Sequence, residues 1–330
     1  MTFPLHRSSE RSPRERGEAF GRAQAQPVAH TVALYRRMFA ETHGLDAREA
    51  GEGVLLADEA REEIAGIARG AGVDERELRA VNARTEILAG KGPTECSVVG
   101  AGGLLAQNWD WHPDSAQSTV IWTVVHDHGW FVTLTEAGIL AKIGLNHHGL
   151  GVCLNLLTTS ADGGLDGTPI HVLLRHVLHT AATVDEALGI LTSAKTSASS
   201  AVTVATPGDV ATVELSPGGP NVIRGAIGAH TNHFLVRPKA GYDTMPDESP
   251  STIPRLDVVR RQPLLDALRS HDGLPKSVCR HVDPLEPWAE QTETVASVVM
   301  NLAKLRFHVA AGQPCTHEHV QIELPVATHA

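Results

Sequence analysis

The feature that most constrains this chain is a change of hydrophobic period at one breaker cluster, Gly90-Lys91-Gly92-Pro93. Upstream, from Val28, the apolar residues Val32, Tyr35, Met38 and Phe39 recur at three- and four-residue spacing and predict a helix. A second helix is expected over roughly 47–70 with Leu55, Ile64 and Ile67 as its stripe, closed by Gly70-Ala71-Gly72-Val73. Asp74 followed by Glu77 makes a capping-box-like start for a third, with Leu78 and Val81 inside. Residues 1–25 are rich in Arg, Ser and Glu without periodicity, and are expected to form a mobile tail.

Downstream the period falls to two. Cys96–Val99, glycines 100, 102 and 103, and Leu104–Asn108 read as a β-hairpin. Strands are expected at Val120–His126, Trp130–Glu136, Ile139–Asn146 and Gly151–Leu156, then helices near 168–180 and 184–194. Further strands follow at Ala201–Ala205, Thr212–Leu215 and Val222–Ala226, then a helix near 255–270 and a β tail (Val295–Leu302, Leu305–Ala311, Val320–Leu324). Strands in runs interrupted by paired helices imply an α+β fold. The expected organisation is a helical segment, 26–95, and a β-rich segment, 96–330, in one folded unit.

Composition removes several function classes. A net charge of −10 and 4% aromatic residues argue against coating nucleic acid or an anionic membrane. No stretch approaches the ~18 apolar residues of a membrane span, and the first twenty residues lack a signal-peptide core. The four cysteines, Cys96, Cys153, Cys279 and Cys315, show no CxxC spacing, so a reducing, cytoplasmic setting is expected. Cys153, Cys279 and Cys315 read as structural.

Cys96 has informative neighbours. With the hairpin turn centred near Ala101-Gly102, Cys96 falls opposite Gln107, and Asn108 and Asp110 lie just beyond on the returning strand. If the Glu95–Cys96 bond is cut, Cys96 carries a thiol and a free α-amine on one residue. The amine, with pKa ~7.7–8.0, can take the proton of a thiol near ~8.5 at neutral pH, so nucleophile and base need no histidine. Asp110 would hold the ammonium, and an asparagine elsewhere could donate to the oxyanion.

At this point the chain resembles a known family. VNARTE (81–86), ECS (95–97), QNWDW (107–111), GLGVCLNLL (149–157), PIHVLLRHVL (169–178) and HTNHFL (230–235) occur in order. Ser251 to Arg255, VASVVMNL (295–302) and HVAAGQPC (308–315) complete the series. Together they resemble the acyl-coenzyme A:6-aminopenicillanic acid acyltransferase-like family of self-cleaving N-terminal-nucleophile proteins. The resemblance implies a four-layer αββα sandwich, with cleavage between Glu95 and Cys96 by an N-to-S acyl shift. It implies Cys96 as nucleophile, Asp110 as partner of the new amine and Asn232 as oxyanion donor. Arg255 is implied as a positioning residue, with Asn155 as a further oxyanion or binding contributor. This chain departs from the pattern at Glu95 in place of Gly, Ser97 in place of Thr and Asn301 in place of Asp.

The expected activity is therefore hydrolysis of a small N-acyl amine or N-acyl amino acid through a thioester on Cys96. Acyl transfer to an amine, with acyl-coenzyme A as one donor, is the alternative. The expected partners are that small molecule and the chain's own two fragments as a heterodimer; no cofactor, metal, nucleic acid or membrane is expected. His230 and His233 flank Asn232 and are expected to line the substrate pocket. The chain's 19 histidines sustain a rival metallohydrolase reading through His126-Asp127-His128, His147-His148, His176 with His179, His230 with His233, and His317-Glu318-His319. An inactive binding module on an enzyme fold is the third reading.

Overall fold

The structure, a computed structural model, describes residues 2–89, 96–226 and 228–325. The segment expected to be a mobile tail is folded. Leu5–Ser8 (β1) pairs in parallel with Thr119–His126. Pro13–Ala23 (α1) starts at Ser12, whose Oγ accepts from Glu15 N. The cause is a glycine face rather than an apolar stripe. Gly17 and Gly21 of α1 meet Gly66 and Gly70 of Asp58–Ala71, where any Cβ would stand 2.1–2.3 Å from a backbone oxygen. Only residues without side chains let two helix backbones approach so closely. The contact is sealed by buried Glu63, 2.7 Å from Arg16 Nε and 2.7 Å from Arg175 Nη2.

The helical segment continues as α2 (Ala25–His43), α3 (Ala47–Glu52), α4 (Asp58–Ala71), α5 (Glu75–Asn82) and α6 (Arg84–Leu88). The single helix expected over 47–70 is two, because Gly51 and Gly53 lower helix propensity at the break. Gly51 also lets α3 lie on α5, where a Cβ would be 1.8 Å from Arg76 O. Asp74 caps α5 as expected, accepting from Arg76 N.

Beyond residue 95 come β2 (Cys96–Ala101), β3 (Leu104–Trp111), β4 (Thr119–His126), β5 (Gly129–Glu136), β6 (Ile143–Asn146) and β7 (Gly151–Leu156). Helices α7 (Ile170–Thr180) and α8 (Val184–Ser193) precede β8 (Ser200–Thr206), β9 (Asp209–Leu215), β10 (Asn221–Arg224) and β11 (Gly228–His230). Helices α9 (Met245–Glu248), α10 (Thr252–Arg261) and α11 (Leu264–Arg269) lead to β12 (Glu293–Asn301), β13 (Arg306–Ala310) and β14 (Val320–Ile322). The helix expected over 255–270 is split at Pro263, which has no N–H to continue it. Residues 139–142 are not strand: Asn82 donates to Gly138 O at 2.8 Å and accepts from Leu140 N at 3.0 Å, holding that stretch as a loop.

The eight-stranded sheet runs β1-β4-β5-β6-β7-β8-β9-β10, and the six-stranded sheet β11-β2-β3-β12-β13-β14. They face each other through β2 and β3 against β7. Helices α7 and α8 cover the outer face of the first sheet, and α10 and α11 that of the second. The layers are α, β, β, α, so the fold is α+β as read from the pattern and four-layered as the resemblance implies. One apolar core runs from Phe3 to Ile322 and includes residues on both sides of Cys96. Among the described residues no helix is long and apolar enough to cross a membrane.

Candidate active site

The hairpin turns on Gly102-Gly103, both with positive φ (60° and 77°), a conformation glycine adopts without strain. Cys96 therefore pairs with Trp109, not Gln107. The expected register was wrong by two residues, and an even shift leaves every side chain on its own face. Cys96, Gln107, Trp109 and Trp111 look into the space between the sheets; Ser97, Asn108 and Asp110 look towards α10 and α11. The motif 107–111 thus ties layers in both directions. Gln107 exchanges two hydrogen bonds with Leu154 of β7 (2.6 and 3.0 Å), and Asn108 Nδ2 donates to Leu268 O and Val278 O, both at 2.8 Å.

Three side chains from distant elements converge on the backbone of Cys96. Its N–H donates to Asn232 Oδ1 at 2.9 Å. Its carbonyl accepts from Arg255 Nη1 at 2.9 Å and from Asn155 Nδ2 at 3.1 Å. The guanidinium fork also reaches Ser97 Oγ (2.9 Å) and Asn232 Oδ1 (3.0 Å), and it is buried. Asn232 is held in turn, its N–H donating to Thr252 Oγ1 at 2.8 Å and its Nδ2 to Leu156 O at 3.0 Å.

The Cys96 sulfur lies 3.9 Å from the carbonyl oxygen of Asp110. The Asp110 carboxylate is buried and accepts from Thr294 Oγ1, its neighbour on β12, at 2.7 Å. Burial, and then the negative charge of Asp110, push the Cys96 thiol up to about 12, against the pull of Lys142 and Arg255. At neutral pH this group is a thiol, and any nucleophilic role requires a base.

The thiol opens into a narrow cleft walled by Trp109, Trp111, Leu154 and Leu156. Two cations that sequence reasoning missed, Arg84 and Lys142, also line it. Arg84 stands 3.9 Å over the Trp111 ring and Lys142 3.7 Å over that of Trp109, and both face buried Glu136. Tyr35 donates to Glu136 at 2.6 Å. Burial brings Lys142 down to about 7 although Glu136 opposes it; for Glu136 the cost of burial is outweighed by Lys142 and Arg84, which hold it ionised. The available signal was a lone lysine inside the apolar run 139–145. Arg84 belongs to VNARTE, in which Asn82 fixes the 138–140 loop and Thr85 reaches the cleft. Glu86, raised to about 7 by burial, accepts from Ile170 N at the start of α7.

His230 and His233 do not line this cleft. His230 is fully buried, with Nε2 3.0 Å from Glu214 Oε1 and Nδ1 2.8 Å from Thr231 O. Glu214 also accepts from Leu235 N and Val236 N, and His233 Nδ1 meets Thr252 Oγ1 at 2.9 Å. These histidines build the turn that carries Asn232. Glu95 lies outside the described residues. Among the described residues, none of the histidine groups behind the metallohydrolase reading gathers three metal-capable side chains around one point. His126 instead stacks on His179 with ring centroids 4.2 Å apart.

A family model described as acyl-coenzyme A:6-aminopenicillanic acid acyl-transferase matches residues 98–314. The acyl-coenzyme A:6-aminopenicillanic-acid-acyltransferase 40 kDa form of Emericella nidulans is 27% identical over 233 residues, 64% of this chain and 64% of that protein. The chain thus matches less than two thirds of that relative's length. Among solved structures, penicillin V acylase from Agrobacterium tumefaciens aligns with a TM-score of 0.48 at 16% identity, covering 69% of this chain and 86% of that one. A variant of conjugated bile acid hydrolase from Clostridium perfringens aligns at 0.44 and 13% identity, covering 68% and 92%. The family match spans most of the chain, including β3, β7, the Asn232 turn, α10 and β2 from its third residue on, and on that ground the chain belongs to the acyl-coenzyme A:6-aminopenicillanic acid acyltransferase family.

Proposed function

We propose that this chain is a self-processing cysteine amidohydrolase of the N-terminal-nucleophile type, acting on a small N-acyl amine or N-acyl amino acid. The observation that carries the reading is the fixing of one residue from three sides: Asn232 on the Cys96 nitrogen, and Arg255 and Asn155 on its carbonyl. A side-chain nucleophile needs its thiol oriented; a residue whose own nitrogen is the base needs its backbone held as well.

In the precursor, the Cys96 thiol adds to the Glu95 carbonyl, the C–N bond breaks, and the amine receives the proton. Water then hydrolyses the resulting thioester, releasing Glu95 as a C-terminal carboxylate and restoring the thiol beside a free α-amine. In turnover that amine takes the thiol proton, and sulfur attacks the acyl carbon. The ammonium protonates the leaving amine, and water resolves the thioester. Asp110 favours the ammonium electrostatically. Asn232 Nδ2, with one hydrogen on Leu156 O, has a second for the oxyanion. The Trp109, Trp111, Leu154 and Leu156 walls take the acyl group. The two fragments stay together through their shared core.

Transfer to an amine in place of water is the second reading, favoured by the acyltransferase name of the Emericella nidulans relative. Intact-mass spectrometry of denatured, active protein tests the cleavage: fragments 1–95 and 96–330 are expected, with Cys-Ser-Val-Val as the new N-terminus. An uncut chain that turns over N-acyl amines refutes it. Following product release with and without acceptor amines separates hydrolysis from transfer.

A further inference from the structure

Away from the cleft, four side chains from irregular loops point at one another. His271 and Cys279 come from the segment after α11, where Cys279 N donates back to Ser270 O at 3.0 Å. His281 follows two residues later, and Cys315 arrives from the loop after β13. The His271 and His281 Nε2 atoms are 3.2 Å apart. His281 Nε2 is 3.4 Å from Cys315 Sγ and 4.0 Å from Cys279 Sγ. All four donor atoms lie within 4.8 Å of one another.

The four-way geometry points to a structural zinc site, Cys279–Cys315–His271–His281, which we propose binds one Zn²⁺ per chain. A tetrahedral ion with Zn–S ≈ 2.3 Å and Zn–N ≈ 2.0–2.1 Å requires N···N of about 3.3 Å and S···N of about 3.6 Å, close to the spacings found. Two soft thiolates with two imidazoles select zinc over the oxygen-loving Mg²⁺ and Ca²⁺. Four donors this close surround a single ion and leave no room for a two-iron cluster between the cysteines and the histidines. With four protein ligands the site is closed, so its role is to hold loops rather than to activate water.

What it holds is specific. Arg280, between two of the ligands, donates its N–H to Thr294 Oγ1 at 2.9 Å and accepts from Thr294 N at 3.0 Å. Thr294 Oγ1 is the donor to Asp110. Val278 O, one residue before Cys279, is a partner of Asn108 on β3. An ion here pins the long 270–292 loop against the strand that carries Asp110, and ties it to the 311–319 loop. The binding claim stands on ligand geometry alone; only its effect on turnover rests on the proposed function.

The test is metal analysis of the purified full chain, followed by chelator stripping and titration with Co²⁺. About one zinc per chain is expected, together with the visible absorption of tetrahedral Co²⁺ and a thiolate charge-transfer band. At a hundredfold excess over its dissociation constant, zinc is expected to raise the melting temperature of the stripped chain by about 4 °C. Cys315→Ser abolishes stoichiometric zinc and the charge-transfer pattern, whereas Cys96→Ser keeps both. Because Cys279 is buried, its replacement also disturbs packing; exposed His271→Gln carries the same test without that cost. Folded wild-type chain that takes up neither zinc nor Co²⁺ overturns the proposal. So does a Co²⁺ spectrum indifferent to Cys315→Ser, or a Cys279–Cys315 disulfide in protein prepared under reductant.

Discussion

Replacing Arg255 separates its part in holding Cys96 from its part in holding the fold. Arg255→Met keeps most of the side-chain volume but removes the bonds to Cys96 O, Ser97 Oγ and Asn232 Oδ1. Two of these acceptors keep another donor: Asn155 still serves the Cys96 carbonyl, and Cys96 N–H still serves Asn232. The stability loss is therefore that of one abandoned buried acceptor and weakened neighbours, about 1–3 kcal/mol. In a chain of this size that lowers the melting temperature by about 1–4 °C, leaving a folded protein at 25 °C. The effect on chemistry is larger. Among the described residues no other side chain bonds both Asn232 Oδ1 and the Cys96 carbonyl, and a displacement of ~1 Å at a reacting centre costs about a hundredfold in rate. Self-cleavage followed by intact-mass spectrometry after pulse expression is expected to slow by about two orders of magnitude, and kcat to fall more than KM rises. Arg255→Lys keeps the charge but reaches fewer acceptors, and is expected to lose about tenfold. A folded Arg255→Met protein that cleaves and turns over at the wild-type rate refutes the argument that this fork orients Cys96.

Other outcomes follow from packing and protonation. Gly17→Ala drives a Cβ to 2.1 Å from Glu63 O, a backbone atom that cannot swing aside. Thermal unfolding should show a loss of about 3 kcal/mol or more, with the N-terminal segment becoming protease-sensitive. Burial holds His126 and His179 down to about 4, against ~6.5 in the unfolded chain. The unfolded state therefore binds the additional protons between these values, and stability is complete above ~6.5 and declines as pH falls towards 4. Urea midpoints across that range should flatten in a His126→Gln/His179→Gln double variant; an unchanged slope assigns the acid limb to other groups. Glu214→Gln places an amide donor against His230 and two backbone N–H groups, so the turn bearing Asn232 loosens. Self-cleavage should slow about tenfold, with the thiol still alkylated on unfolding.

Much of the site was legible because its residues occupy ordered motifs, yet the contacts among them were not. Asn232, Asn155 and Arg255 meet at Cys96 across more than fifty residues of chain, and periodicity carries no information on such meetings. The α1–α4 contact was invisible for a different reason: pattern reading detects bulk, and a helix face of Gly17 and Gly21 presents none. The metal quartet escaped because its ligands come from separate loop segments, with only Cys279 and His281 near each other in sequence. Lys142 and Glu136 sit in separate stretches of sequence, and only the fold brings them together as a pair.

The 107–111 motif makes the limit concrete, because a string read as one signal serves two faces. Its odd positions, Gln107, Trp109 and Trp111, point between the sheets, where they tie β7 or wall the cleft. Its even positions, Asn108 and Asp110, point the other way, onto the loop that bears Cys279, Arg280 and His281. Parity therefore sorts consequences that linear adjacency hides. Substitutions at Trp109 or Trp111 reshape the wall that an acyl group meets and should alter which substrates are taken. Substitutions at Asn108 or Asp110 change how the strand beneath Cys96 is held from the helical side and should alter the rate for every substrate alike. A Trp111→Phe variant that slows all acyl chains equally, beside an Asn108→Asp variant that changes only selectivity, would place the cleft on the wrong face of this strand.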